Sequence, residues 1–345
     1  MTKTRIGILY GGRSEEHAIS VKSAREVAAS LDPERYEPFW IGISTQGTWR
    51  LCDGPEQDPD EGNGRPVAIS PDPAVGGVLL LDGDREVVGL DIVFPVLHGR
   101  WGEDGAVQGL LELSGVPYIG CDIAGSALAM DKALAYTVVR EAGVGTPRFR
   151  TVAAGEVVAP GELDYPVFVK PARSGSSFGV TKVTEPDGLA EALATARAFD
   201  SKVLIEQAVV AREVGCAILG NEGELVLGEL DRVALSHGFF RIHQESDPEA
   251  GSENASFIVP ADIPADARER VRETARTVYR ALGCRGLARV DLFLRDDGTV
   301  LLNEVNTLPG LTSYSRYPRM MAAAGLSLGD VVDALVNLAL EGPGR

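Results

Sequence analysis

The chain has 345 residues, 44% of them hydrophobic and 24% charged, which is ordinary globular composition. Its formal net charge of −17 repels phosphate backbones, which argues against nucleic acid as a partner. No stretch approaches ~20 consecutive apolar residues, so no membrane span is expected, and Met1–Tyr10 lacks the apolar core and cleavage site of a secretion signal. The four cysteines (Cys52, Cys121, Cys216, Cys284) form no CxxC pair and read as reduced thiols of a cytoplasmic protein. Only six of the 33 Lys+Arg are lysines: Lys3, Lys22, Lys132, Lys170, Lys182 and Lys202. Where arginine is the default cation, a retained lysine marks a place that needs a compact ammonium.

The length predicts two or three lobes. In the first ~120 residues, Arg5–Tyr10 is a short apolar run ending in Gly11-Gly12, and Ser20–Leu31 has helical spacing. Pro38–Ser44 and Asp91–Leu97 are further buried-strand candidates, and Cys52–Gly77, rich in Pro, Gly and Asp, reads as loop and turns. This alternation predicts an α/β unit with an open parallel sheet. Ligands on such sheets sit beyond the carboxyl ends of the strands, so Gly11–Glu16 and His98–Asp104 should share one rim. A second unit follows: a helix over Ser126–Ala142, a strand at Val167–Lys170, a glycine-serine loop at Ser174–Gly179, a helix over Pro186–Phe199 and a strand at Val203–Glu206. The remainder holds strands, a polar loop at Asp231–Asn254, a helix over Ala265–Leu282, a hairpin and a final helix at Leu328–Leu340.

The hairpin is the most informative segment. Asp297-Gly298 between alternating apolar runs is a turn signal. With those two residues as the loop, Asp291 lies opposite Glu304 and Arg289 opposite Asn306, all projecting from one face. Like charges opposite each other on a sheet repel. Two acids and an amide so placed make sense around a cation, and oxygen ligands of this kind suit Mg²⁺ shared with substrate phosphates. The two carboxylates alone would read as a solvated polar face; the following Thr307–Ser313 turn, rich in glycine and hydroxyls, can offer backbone N–H groups to an anion. Lys170 at the mouth of the Ser174–Gly179 loop, with Ser176 and Ser177 as phosphate donors, reads as a phosphate cover. No Gly-Lys dipeptide, GxGxxG or HExxH motif occurs, which leaves a nucleotide clamped between two lobes and disfavours an oxidoreductase.

Gly11-Gly-Arg-Ser-Glu-Glu-His17, His98-Gly-Arg-Trp-Gly-Glu-Asp-Gly105, Met130-Asp-Lys132, Lys170–Gly179, Gly286–Asp291 and Asn303-Glu-Val-Asn-Thr-Leu-Pro-Gly310 together resemble the D-alanine–D-alanine ligases of the ATP-grasp fold. The likeness runs in order along nearly the whole chain. It implies an N-terminal Rossmann-like domain (1–122), a central lobe (123–210) and a C-terminal lobe with omega loop and metal hairpin (211–345), the last two clamping ATP. It implies that Lys132 and Lys170 contact the phosphates and purine region, with Ser176 and Ser177 above them. Glu206, Gln207 and Val209 line the adenine pocket, Glu213 reaches the ribose, Phe240 packs on the purine, and Asn303 stands on the nucleotide side. Asp291, Glu304 and Asn306 bind two Mg²⁺, with Mn²⁺ as a substitute. Glu16 anchors the ammonium of the first D-alanine and Ser176 orients Glu16. Arg289 and the Gly310 N–H stabilise the oxyanion, Ser315 meets the carboxylate of the second substrate, and His98 lies near the reacting centre.

The stretch Ser236–Ser246 lacks the Lys-Tyr pair of ordinary ligases. With His243 there, Lys22 in the N-terminal subsite, and Ser313-Tyr314-Ser-Arg-Tyr-Pro-Arg-Met-Met-Ala322, it is similar to the D-alanine–D-lactate ligases of vancomycin resistance. That resemblance implies ATP, D-alanine and D-lactate as substrates, a homodimer and a cytoplasmic place in peptidoglycan synthesis. The alternative is a D-alanine–D-alanine ligase with an unusual loop; a catalytically silent nucleotide binder is disfavoured by Lys132, Lys170, Arg289, Asp291, Glu304 and Asn306 occurring together.

Overall fold

The computed structural model describes residues 2–83, 86–221, 223–235 and 255–341. The first part contains β1 (Thr4–Gly11), α1 (His17–Ser30), β2 (Tyr36–Ile43), β3 (Trp49–Cys52), β4 (Arg65–Ile69), β5 (Gly77–Leu80), β6 (Val87–Gly89), β7 (Ile92–Pro95) and α2 (Ala106–Ser114). These strands form a sheet of order β6-β5-β4-β3-β2-β1-β7. Only β2, β1 and β7 run parallel; β2 to β6 form an antiparallel meander. The segments expected as parallel strands do pair in parallel as β1, β2 and β7, and β3 to β6 extend the sheet beyond them in antiparallel fashion. The supposed loop of Cys52–Gly77 also holds β4, whose Val67 and Ile69 are buried. Its short Arg-Pro-Val-Ala-Ile run is masked in the sequence by flanking Gly, Pro and Asp.

Next come α3 (Ile123–Met130) and α4 (Lys132–Glu141), where one helix was expected. Asp131 leaves helical geometry (φ −87°, ψ 97°), and its carboxylate accepts the N–H groups of Ala133 and Leu134, ending one helix and capping the next. Lys202 neutralises that cap at 2.9 Å. The second sheet has the order β10-β9-β11-β8, from β8 (Phe149–Val152), β9 (Val167–Pro171), β10 (Thr181–Val183) and β11 (Val203–Gln207), with α5 (Leu189–Arg197) packed on it.

The third sheet uses β12 (Arg212–Gly220), β13 (Val226–Leu227), β14 (Asp231–Leu235), β15 (Ala255–Ile258), β16 (Gly286–Leu294) and β17 (Val300–Asn306). Its order is β15-β14-β12-β16-β17, with β13 pairing β12. Residues 231–235, expected to open a polar loop, are a strand, and Asp231 is fully buried. Helix α6 (Ala265–Ala281) buries Ala267, Val271, Ala275 and Val278, a stripe at helical spacing that faces this sheet. Helices α7 (Arg316–Ala323) and α8 (Leu328–Leu340) complete the described chain. One apolar core joins Ile6, Ile8 and Tyr10 of β1 to Leu219, Leu287, Val332 and Leu335. It locks the first sheet onto the third, so the loops after β1 and β7 meet the end of the β16–β17 hairpin.

That hairpin has the expected pairing at its functional end: Asp291 opposite Glu304, Arg289 opposite Asn306. The route differs from the two-residue turn. Arg295 N–H bonds Thr299 O, and Gly298, at φ +82°, closes a three-residue loop. Three loop residues alone would place Asn303 opposite Asp291. The pairing instead passes from Leu292–Leu302 to Asp291–Glu304, so a bulge at Asn303 restores the register.

Candidate active site

A cleft of about 850 Å³ lies between the second and third sheets, under the loops that follow β1 and β7. Glu16, His98, Lys132, Lys170, Ser176, Ser177, Glu206, Val209, Glu213, Arg289, Asn303, Glu304, Asn306 and Gly310 all line it. Phe240 and His243 lie outside the described residues. Five anticipated positions, Lys22, Gln207, Asp291, Tyr314 and Ser315, are not among the residues that line the cleft. Lys22 lies within α1, and Gln207 follows the inward Glu206 on β11, where successive side chains alternate faces. Tyr314 is half exposed on the outer turn, and Ser315 Oγ is bonded to Thr312 Oγ1 at 2.5 Å, behind Gly310.

Three of the six lysines (Lys132, Lys170 and Lys182) face this cleft. Lys170 on β9 reaches Glu206 Oε2 on β11 at 2.7 Å, and both are buried. Lys132 Nζ donates to Ser174 O (2.8 Å) and stands 3.4 Å from Glu304 Oε2. Lys182 lies over the Phe168 ring. The Ser174–Gly179 loop is built from left-handed residues: Ser176 at φ +47°, Ser177 at +59° and Gly179 at +70°. For serine this conformation costs about 1–2 kcal/mol per residue. The Ser176 hydroxyl offsets part of that cost through its 2.5 Å bond to Glu16 Oε1, which fastens the loop to the start of α1.

The rim behind Glu16 is a tight polar knot. His98 Nδ1 faces the Leu308 carbonyl (2.8 Å), so it must donate; Nε2 then accepts from Ser23 Oγ (3.0 Å), which accepts from Leu311 N–H (3.1 Å). Burial holds the imidazole below its ordinary pKa and keeps it neutral, so His98 fixes the 308–311 turn with both nitrogens. Glu103, given no role in the sequence reading, accepts Gly99 N–H (2.7 Å) and Leu308 N–H (2.8 Å). Burial, then the charge of Glu16, pushes its carboxyl up to about 8 from 4.5. Between those values the folded state keeps a proton that the unfolded chain has released, so stability falls as pH rises through this window. Glu103→Gln should flatten that slope, by up to ~1.4 kcal/mol per pH unit, in denaturant unfolding followed from about pH 5 to about pH 8.

At the hairpin end, Asp291 is fully buried beneath the cleft lining. Arg289 grips it at 2.9–3.1 Å, Arg316 approaches at 3.1 Å, and Asn306 Nδ2 lies 3.5 Å away. Arg316 was not anticipated as an electrostatic element. It is 4% exposed and also holds Asp231 at 2.6 and 2.7 Å and Glu213 at 3.4 Å. Asp291, Glu304 and Asn306 suit a hard divalent cation: their oxygens come from facing positions of paired strands. The cations that compensate them on the cleft side, Arg289 and Lys132, are long side chains able to turn toward a substrate.

Two sheets closing on lysines, a strained serine-glycine loop and an acidic hairpin form the ATP-grasp fold. The family model described as D-ala D-ala ligase N-terminus matches residues 5–121, and that of the D-ala D-ala ligase C-terminus matches 138–337. A Streptomyces coelicolor protein provisionally named a D-alanine–D-lactate ligase is 65% identical over 343 residues, 99% of each chain. The vancomycin B-type resistance protein VanB of Enterococcus faecalis is 56% identical over 99% of this chain and 100% of its own. The crystal structure of the VanG D-Ala:D-Ser ligase from Enterococcus faecalis superposes with a TM-score of 0.89 at 39% identity, covering 98% of this chain and 100% of that one. The chain belongs to the D-alanine–D-alanine ligase family, whose members are ATP-dependent ligases of small molecules. Among the described residues no single helix is long and apolar enough to cross a membrane.

Proposed function

We propose that the chain joins D-alanine to D-lactate through a D-alanyl phosphate, giving a depsipeptide for cell-wall precursors. An ester terminus lacks one N–H donor, which weakens binding by vancomycin-type antibiotics. The supporting observation is the convergence in one cleft of Glu16–Ser176, Lys132, Lys170 and the Glu304–Asn306 hairpin end. The names carried by the 65% and 56% identical relatives favour D-lactate as acceptor.

In this reading the lobes are 1–122, 123–210 and 211–345, and ATP is clamped between the last two. Val209 and Phe293 give the base apolar walls, while Lys132 and Lys170 hold phosphate oxygens. Glu16, fixed by Ser176, takes the ammonium of D-alanine and turns its carboxylate toward the γ-phosphate. Asp291, Glu304 and Asn306 would hold magnesium, two ions in the full complex and replaceable by manganese, and the bound metal would supply positive charge to offset that of the transferring phosphoryl group. Arg289 leaves Asp291 and joins the Gly310 N–H in stabilising the oxyanion formed when the acceptor attacks. Water would destroy the acyl phosphate, so the reaction needs it excluded; the segment expected to do this lies, from residue 236 to 254, outside the described residues. The enzyme acts as a homodimer in the cytoplasm.

His243, outside the described residues, stands in sequence where ordinary ligases carry their Lys-Tyr pair. A cationic imidazole repels the ammonium of D-alanine and attracts the carboxylate of D-lactate, and histidine titrates near ~6.5. With both acceptors present, depsipeptide should dominate at lower pH and dipeptide should gain as pH rises, read by mass spectrometry of the products. His243→Tyr should abolish the pH dependence. Dipeptide alone at every pH would instead make the chain a D-alanine–D-alanine ligase.

A further inference from the structure

We infer that Tyr136 is a positioning residue whose hydroxyl captures the carbonyl of the bulged Asn303 and so keeps Glu304 and Asn306 in register with Asp291. The inference rests on the nucleotide and magnesium reading above and adds to it the device that sets the metal face.

The bulge needs such a device. A one-residue slip in a strand sends every following side chain to the opposite face. The three-residue turn at 296–298 supplies that slip, and only the unopposed Asn303 cancels it. A bulged residue disrupts the local ladder, so its backbone calls for a partner from outside the strand pair. Tyr136 of α4 provides one at 2.8 Å from Asn303 O. The same hydroxyl lies 2.8 Å from Glu206 Oε2, which also receives Lys170 at 2.7 Å. One hydroxyl hydrogen shared between β17 and β11 ties the two sheets at the floor of the cleft.

The ring itself is fixed. Tyr136 is fully buried, and Phe149 packs edge-on against it at 5.2 Å and 66°. Burial and the nearby Glu206 hold the phenol well above its ordinary pKa, so it remains a hydrogen donor at any working pH. Tyr136 itself is fully buried and is not part of the cleft lining; its hydroxyl reaches the cleft only through Glu206 and Asn303.

The test is Tyr136→Phe, which keeps shape and removes the donor. Binding of ATP to the full chain is followed by calorimetry across a magnesium titration, without D-alanine, so no turnover is needed. The magnesium concentration for half-maximal ATP affinity should rise about tenfold, the scale of one lost buried bond, while the KM for D-alanine moves less than twofold. An unchanged magnesium requirement would overturn the inference. p-Aminophenylalanine at position 136 keeps a donor and is measured alongside, in case the first variant does not fold. A magnesium requirement within twofold of wild type supports the inference, and a tenfold rise overturns it. Failure of the wild-type protein itself to bind ATP with magnesium would instead remove the functional reading.

Discussion

Asp291→Asn should lower activity and stability together, and both by large factors. The side chain has no exposure, and two guanidiniums, Arg289 and Arg316, lean on its oxygens. Asparagine keeps the size but removes the charge, and its amide hydrogens would confront guanidinium donors. Removing one partner of a buried ion pair costs about 3–5 kcal/mol because the other charge stays buried. The same change takes a carboxylate from the magnesium set, for which a loss of ~10³-fold in kcat/KM is expected. Glu304→Gln separates the two effects. Glu304 is partly open to the cleft and faces Lys132 at 3.4 Å, so its stability cost should stay below ~1 kcal/mol while the activity loss matches that of Asp291→Asn. Urea unfolding and a coupled ADP assay read the two quantities.

Arg316→Met is the second large effect. This residue faces Asp231, Asp291 and Glu213 in the interior. Methionine fills similar space but leaves three carboxylates without their common cation. A cost of about 3–5 kcal/mol follows at neutral pH. The sign of its pH dependence is fixed by the same physics. Buried carboxylates that lose a guanidinium favour protonation more than before, so the folded variant binds protons more readily than the folded wild type. Relative to the wild type, the variant should therefore recover stability toward acidic pH and lose it as pH rises, in addition to the slope that Glu103 gives both proteins. Parallel unfolding curves for both proteins at acidic and neutral pH check it.

Much of this was legible in the residues, and the gaps have physical causes. The facing pair Asp291 and Glu304 could be read from strand alternation and a turn signal, since side-chain period two leaves little freedom once the register is set. The turn length and the Asn303 bulge could not, because they compensate each other and leave the functional register unchanged. The antiparallel strands β3 to β6 were not legible, since they are short and interrupted by turn residues that dominate any local window. Helices α3 and α4 fused in the reading because the stretch has helical spacing on both sides of Asp131, and its capping role is visible only in its φ, ψ and hydrogen bonds. Glu103, Tyr136 and Arg316 were missed for a common reason. Each acts through partners distant in sequence (Leu308, Asn303 and Asp231), and no spacing rule connects them. The sparse lysines did carry a signal: Lys132, Lys170 and Lys182 face the cleft, and Lys202 holds the Asp131 cap.

The central claim is that this cleft activates the carboxylate of D-alanine by phosphorylation. D-Alanine carrying ¹⁸O in its carboxylate, incubated with ATP, magnesium and D-lactate, tests it most directly. The account predicts one ¹⁸O in the released inorganic phosphate for each depsipeptide formed, because the bridging oxygen leaves with phosphorus when the acceptor attacks. Depsipeptide formed with only unlabelled phosphate would contradict it.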